Sequence, residues 1–315
     1  MTRHFDADAT RRGLPLPALI DALRRQFRRG CEVPLRHTHT LAGADGSTAG
    51  TVLLMPAWQP GGRLGIKTVS VFPANAAQGL PALHATYVLF DAATGVPLAC
   101  MDGSEITTRR TVAASALAAS YLSRDDARRL LVVGAGRLAQ QVPAAMRSVR
   151  PSIEQIQVWN HRPATAAALA QAWREQGLQA QAVTDLEAAV RIADIVSCVT
   201  LATAPLVRGA WLAAGAHLDL VGGFTPAMRE SDGDCLSRAR VWVDTPEALA
   251  KSGDILQAVA EGAFDTAAVQ GTLTDLCRGA DGRRGANEIT VFKSVGTALE
   301  DLAAAELVFD GRQRC

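Results

Sequence analysis

Three stretches of this 315-residue sequence combine residue types that can carry chemistry. Gly65-Ile66-Lys67-Thr68-Val69 places a lysine inside a strand otherwise composed for burial. Thr107-Thr108-Arg109-Arg110-Thr111 places two arginines near the start of an alanine-rich helix. A cation there gains nothing from the helix dipole, so another interaction must hold it. A substrate carboxylate held by a bidentate pair fits, and so does an intramolecular salt bridge. The third stretch is Leu130-Leu131-Val132-Val133-Gly134-Ala135-Gly136-Arg137-Leu138-Ala139. A bare Gly-x-Gly-x-x-Ala match is weak, and an ordinary strand-to-helix turn can contain it. Here four apolar residues precede the turn and a helical pattern follows, the context a dinucleotide fingerprint requires. Gly134 permits the tight turn, Gly136 lets backbone amides approach a pyrophosphate, and Ala139 lets the helix pack on the strand. The cofactor contacts are therefore expected from Gly134, Ala135, Gly136, Arg137 and Leu138.

The end of the next strand selects between dinucleotides. A site for NAD usually presents Asp or Glu there to the ribose 2′-hydroxyl. Ile156-Gln157-Val158-Trp159 ends instead at Asn160, His161 and Arg162. No carboxylate repels a 2′-phosphate, and a guanidinium is available to pair with one, so NADP(H) is favoured over NAD(H). Thr200, at the end of a later apolar strand, is expected at the same cofactor site.

These residues need two kinds of scaffold. Segments 51–55, 64–71, 84–90 and 96–101 read as strands separated by Gly61-Gly62, Pro73 with Asn75, and 91–95. His37 and His39 alternate in a further strand. Strands in succession without helices between them predict an antiparallel sheet. A helix over 17–29 precedes it, with Leu19, Ile20, Leu23 and Phe27 on one face. Residues 105–122, without Gly or Pro, predict a helix linking two domains. From 130 onward strands (130–133, 156–160, 179–183, 195–200, 217–221, 241–243) alternate with helices (137–148, 163–176), the pattern of a doubly wound parallel sheet. Pro143 lies inside the first of these helices and predicts a kink or a short helix. A strand at 289–292 and an amphipathic helix over 295–309, with Ser294 as its N-cap, close the pattern. The fold class is thus α/β: a Rossmann domain (113–294) beside a mixed α+β substrate and dimerisation domain (1–112, with 295–315 returning).

Composition narrows the function classes. Hydrophobic residues make up 48% and charged residues 20%, enough for sizeable cores. A net charge of +1 provides no field for nucleic acid or an anionic membrane. No apolar run reaches the roughly 18 residues of a membrane span. Arg11-Arg12 and Leu14 are followed by Pro15, Pro17 and charges, with no long apolar stretch, so export is not expected. Six dispersed cysteines fit free thiols in a reducing cytoplasm, with no metal site. Cys198 reads as core, and Asp194 as a turn residue.

Several of these segments together resemble the ornithine cyclodeaminase/mu-crystallin family. They are Gly65-Ile66-Lys67, Met101-Asp102, Arg110-Thr111 with Ser115-Ala116, the Gly134 turn, Gly215-Ala216-His217 with Gly222, and Thr290-Val291-Phe292-Lys293-Ser294-Val295-Gly296 with Asp301-Leu302. The resemblance covers nearly the whole chain. It implies a homodimer in which Arg36, Lys67 and Arg110 gather around a substrate carboxylate.

The departures from the cyclodeaminase pattern are informative. Where it has an aspartate after the glycine pair, Gly222-Gly223 is followed by Phe224. Where it has a glutamate ahead of the Met-Pro of an early strand, Leu53 stands before Leu54-Met55-Pro56. Where it has an acid for NAD, Asn160 stands. A site without those anions would bind a second ammonium poorly. The run 220–230 is more like the family's cyclic-imine reductases. The expectation is NADPH-dependent reduction of a pyrroline-2-carboxylate or piperideine-2-carboxylate, with Leu53, Phe224 and Ser294 lining the substrate pocket and no evident general acid. The alternatives are an NAD-dependent ornithine cyclodeaminase and an NADPH-dependent ligand-binding protein of mu-crystallin type.

Overall fold

The computed structural model describes residues 1–44 and 46–311, so Cys315 and the rest of the last four residues lie outside it. The chain divides into two compact units. One comprises Met1–Arg110 with the segment from Thr297, the other Thr111–Gly296.

The first unit is built on a six-stranded sheet in the order Arg3–Phe5, Pro97–Asp102, Leu83–Asp91, Arg63–Val71, Thr48–Trp58, His37–Ala42. The expected strands are all present, but the sheet is mixed: Arg3–Phe5 runs parallel to Pro97–Asp102. That strand has three residues, too few for alternation to announce it. The short helix Ala7–Arg12 follows, its start fixed by Asp6, whose carboxylate accepts the Ala9 amide at 2.7 Å.

Sheet register produces the feature that matters for the site. Phe5, Met101, Tyr87, Lys67 and Met55 stand opposite one another across five strands, and all are buried. Opposed residues share a face, so the lysine sits in an otherwise apolar and aromatic row. Helix Ala298–Gly311 packs over the central strands and beside helix Leu16–Arg29, which buries Leu19, Ile20, Leu23 and Phe27. Each such side chain contributes about 1.5–3 kcal/mol when taken out of water.

The final helix differs from the amphipathic segment expected over 295–309. It starts at Ala298, and residues 298–305 are all buried. Ser294 is not its N-cap. Its amide donates to Leu220 O at 3.1 Å and extends the strand ladder instead. The amides of Val295 and Gly296 both donate to Asp244 Oδ2, at 2.7 and 2.6 Å, and Gly296 has φ +78. This turn delays the helix, and Thr297 caps it, its hydroxyl accepting from the Leu299 amide.

The second unit is an eight-stranded, all-parallel sheet in the order Gly271–Thr272, Arg240–Val243, Thr290–Lys293, His217–Leu220, Ile195–Cys198, Arg129–Val133, Gln155–Trp159, Ala180–Ala182. The strand order reverses between Arg129–Val133 and Ile195–Cys198, the switch point where doubly wound sheets bind ligands at their carboxyl ends. Helix Gly103–Leu122 runs across the boundary between the units. The helix expected over 137–148 is short, as Pro143 required. A 3-10 turn, Ala139–Gln141, precedes helix Val142–Val149, with Pro143 in its first turn, where a missing amide costs nothing.

Candidate active site

In the second unit, the predicted cofactor residues gather at the carboxyl ends of three adjacent strands. Gly134 follows Arg129–Val133, and its amide donates to Trp159 O at 2.8 Å. Its φ is +114, and a Cβ there would lie 2.8 Å from Val199 O, so only glycine fits. Gly136 is different: a Cβ would meet nothing within 4 Å. Fold packing therefore does not demand that glycine, whereas a phosphate approaching the backbone does. Ala135 and Leu138 are half-buried, and Arg137 is exposed beside them. This arrangement fits a dinucleotide pyrophosphate laid across the turn.

The neighbouring strand, Gln155–Trp159, ends in Asn160, His161 and Arg162. Asn160 Oδ1 accepts the Arg162 amide at 2.9 Å, so the asparagine shapes the bend. His161 and Arg162 are exposed, and helix Pro163–Glu175 begins immediately after them.

Thr200 lies beyond Ile195–Cys198, but its polar groups are already engaged. Its amide and hydroxyl both donate to Glu230 Oε1, while the Gly222 amide donates to Glu230 Oε2. Glu230 is fully buried, and burial pushes its carboxyl up to about 7 although Lys293 pulls it down. Lys293 Nζ lies 3.1 Å from Asp254 Oδ2, both groups fully buried. A Cβ at Gly222 would strike Glu230, and one at Gly223 would strike Asp254. The paired glycines thus make room for buried carboxylates. Asp219 accepts from Ser197 at 2.6 Å and from Ser115 at 2.9 Å, and burial lifts it to about 6. Phe224 is 44% exposed at the same strand ends, and Ser294 is buried. Cys198 is core, its thiol pushed far up by burial.

In the first unit, Lys67 and Arg110 meet on one acid. Lys67 Nζ lies 2.6 Å from Asp301 Oδ2, and Arg110 Nε donates to Asp301 Oδ1 at 3.0 Å. Arg110 NH1 donates to Glu300 Oε2 at 2.6 Å. All four side chains are buried. Burial lowers Lys67 to about 8, with Arg110 pushing the same way and Asp301 and Glu300 opposing. The intramolecular salt bridge is therefore present, and it joins the two segments singled out in the sequence. Beside Lys67, the Tyr87 hydroxyl is buried without a hydrogen bond. A Cβ at Gly65 would collide with that hydroxyl, so Gly65 makes space for it. Arg36 is half-buried just ahead of His37–Ala42, the strand that places Thr38 opposite Leu53. His37 and His39 are exposed on that strand, and among the described residues no three His, Cys, Asp or Glu side chains are grouped to hold a metal.

Sequence reasoning assigned no role to Glu300, Asp301 or Glu230. A signal existed for the first two: adjacent acids inside the apolar run 298–305. A charge in such a run requires a buried partner. Glu230 left no comparable mark, because its partners are backbone amides and one threonine hydroxyl.

The chain matches the model of the ornithine cyclodeaminase/mu-crystallin family over residues 10–314. The Delta(1)-pyrroline-2-carboxylate reductase of Paracoccus denitrificans is 41% identical over 298 residues, covering 91% of this chain and 94% of its own. The solved structure of Thermococcus litoralis Delta(1)-pyrroline-2-carboxylate reductase, in complex with NADH and L-proline, has a TM-score of 0.91 at 31% identity and covers 99% of this chain and 98% of that one. An archaeal alanine dehydrogenase dimer with bound NAD has a TM-score of 0.90 at 28% identity, covering 99% and 96%. The chain belongs to the ornithine cyclodeaminase/mu-crystallin family.

Proposed function

We propose that this protein is a nicotinamide-dependent reductase of cyclic imino acids of the pyrroline-2-carboxylate or piperideine-2-carboxylate type. The observation that carries the reading is the convergence of Lys67 and Arg110 on Asp301 in a buried apolar row. Two cations and two acids leave this cluster with no net charge. A zwitterion, with a carboxylate and a protonated imine, adds none. The relatives named above support the same substrate class.

In this reading Arg110 and Lys67, with Arg36, take the substrate carboxylate and fix the ring. Fixing the ring presents one face of the C=N bond, and such positioning supplies much of the acceleration. The reduced nicotinamide, when bound, supplies the hydride. Leu53, Phe224 and Ser294 are assigned to substrate contact in this reading. Leu53 and Phe224 put no anion where a second substrate ammonium would need one, which disfavours diamines. Gly134 to Leu138, Thr200 and Asn160 to Arg162 hold the cofactor. Arg162, exposed and with no carboxylate at the strand end, favours NADPH over NADH. The free thiols suit a reducing cytoplasm, and the family resemblance supports a homodimer.

The test is to mix the protein with Δ1-pyrroline-2-carboxylate or Δ1-piperideine-2-carboxylate and follow NADPH and NADH absorbance, with an ornithine-plus-NAD ammonia assay in parallel. Loss of NADPH with imine and no ammonia from ornithine is expected. Ammonia and proline from ornithine, without net cofactor oxidation, would overturn the reading.

A further inference from the structure

We propose that Asp301 is the positioning residue of the substrate site, a single carboxylate that orients Lys67 with one oxygen and Arg110 with the other and keeps the lysine charged. The inference rests on the reading of Lys67 and Arg110 as the carboxylate-binding cations. Three observations lead to it. The distances are 2.6 Å from Lys67 Nζ to Oδ2 and 3.0 Å from Arg110 Nε to Oδ1, so both cations are fixed relative to one acid. Asp301 has no exposed surface, and Lys67 and Arg110 have almost none, so solvent cannot substitute for the missing partner. The cations come from a central strand and from helix Gly103–Leu122, and Asp301 on helix Ala298–Gly311 touches both.

The groups facing Lys67 are few. Asp301 and Glu300 approach from the final helix, Arg110 from helix Gly103–Leu122, and Tyr87 from the adjacent strand. Desolvation and Arg110 favour the neutral amine, and Asp301 is the largest opposing influence. Glu300 is bonded to Arg110 and opposes more weakly. Removing the Asp301 charge leaves Lys67 buried beside a guanidinium, and the amine loses its proton at lower pH. A neutral amine attracts a substrate carboxylate far less than an ammonium does. Asp301 thereby sets the alkaline limit of turnover without touching the substrate.

The experiment measures kcat/KM against pH for Δ1-pyrroline-2-carboxylate reduction by the wild-type protein, Asp301→Asn, Lys67→Met and the Lys67→Met/Asp301→Asn double variant. Wild-type activity should fall above about pH 8. Asp301→Asn should move that midpoint down by at least about one pH unit and lower kcat/KM by about 100-fold at pH 8. In the Lys67→Met background the same change should cost only about tenfold, the part that acts through Arg110, because the part that acts through the lysine is gone. An unmoved midpoint, or an equal loss in both backgrounds, would overturn the proposal. Should Asp301→Asn not fold, Asp301→Glu keeps the charge but displaces it. Retention of the wild-type midpoint with reduced kcat is then expected, and a midpoint lowered by a full unit would overturn the role. A wild-type protein inactive on the imine would instead sink the reductase reading and leave this one without its substrate, so the two failures are distinct.

Discussion

Glu230 takes both the amide and the hydroxyl of Thr200 on one carboxylate oxygen, at 2.7 and 2.8 Å. Its other oxygen takes the amide of Gly222 at 2.6 Å. One buried side chain thus ties the carboxyl ends of two neighbouring strands, Ile195–Cys198 and His217–Leu220. Glu230→Gln replaces one acceptor oxygen with a donor that meets donors. The expected result is a cofactor KM raised about tenfold with a smaller change in kcat, read by steady-state kinetics and by quenching of protein fluorescence on cofactor titration. The variant should also alter the pH dependence of stability. A carboxyl lifted to about 7 stays protonated in the folded chain where the unfolded chain has lost its proton. Its contribution therefore declines as pH rises from about 4.5 to about 7. Thermal midpoints of Glu230→Gln should lack that decline.

The two glycines of the dinucleotide turn should respond oppositely to substitution. Gly136→Val adds atoms where no protein atom lies within 4 Å, so the thermal midpoint should stay within a degree or two while cofactor affinity falls at least 100-fold. Gly134→Ala forces a Cβ to 2.8 Å from Val199 O at φ +114, so it should destabilise the fold itself. Calorimetry with and without cofactor separates the two effects. A Gly136→Val protein that binds cofactor normally would displace the pyrophosphate from this turn.

Arg162→Glu should invert the coenzyme preference. It removes the guanidinium and supplies a carboxylate suited to a ribose 2′-hydroxyl. The ratio of kcat/KM for NADPH over NADH should fall at least tenfold, mostly through the KM for NADPH. Equal ratios in the variant and the parent would mean that Arg162 does not reach the 2′ position.

His217 should make the protein acid-sensitive. It is fully buried, its Nδ1 lies 3.0 Å from Thr290 Oγ1, and its Nε2 has no hydrogen bond. Burial lowers it to about 3, with Arg283 and Arg150 adding to the effect. The unfolded chain binds this proton below about 6.5 and the folded chain does not, so stability is lost as pH falls from about 6.5 towards 3. Thermal midpoints should drop by several degrees across that window. His217→Leu, which cannot be protonated, should flatten the slope even if its midpoint at neutral pH is lower.

Much of this architecture was legible because it is local. The alternation after Leu130, the glycine spacing at Gly134 and the strand punctuation before Asp102 each lie within a few residues. Lys67 and Arg110 were recognisable as charges in segments whose patterns did not call for them. What stayed hidden was long-range. Asp301 meets Arg110 across 191 positions, and Glu230 acts on amides of Thr200 and Gly222. Neither leaves periodicity or spacing behind. Ser294 does not cap the helix because Asp244 takes the next two amides, a contact 51 residues away that the local sequence does not reveal. Arg3–Phe5 was missed because three residues carry too little pattern.

The acids that neutralise Lys67 and Arg110 lie on helix Ala298–Gly311, which follows every strand of both sheets in the sequence. During translation, Thr111–Gly296 is an uninterrupted segment that contains every strand of its own sheet. It can collapse and pair its strands while Ala298–Gly311 is still within the ribosome. Lys67 and Arg110 at that stage lack Asp301 and Glu300, and burying them without these acids is costly, so the central strands cannot close their core. Closing the core of the first unit therefore waits for residues 298–311 to emerge, since its ion pairs join Lys67 to Asp301 across most of the sequence. A nascent or prematurely stopped product would display a nearly finished nucleotide fold attached to an open sheet. Quality-control proteases and chaperones would encounter exposed apolar strand faces in the first unit, with little to recognise in the second.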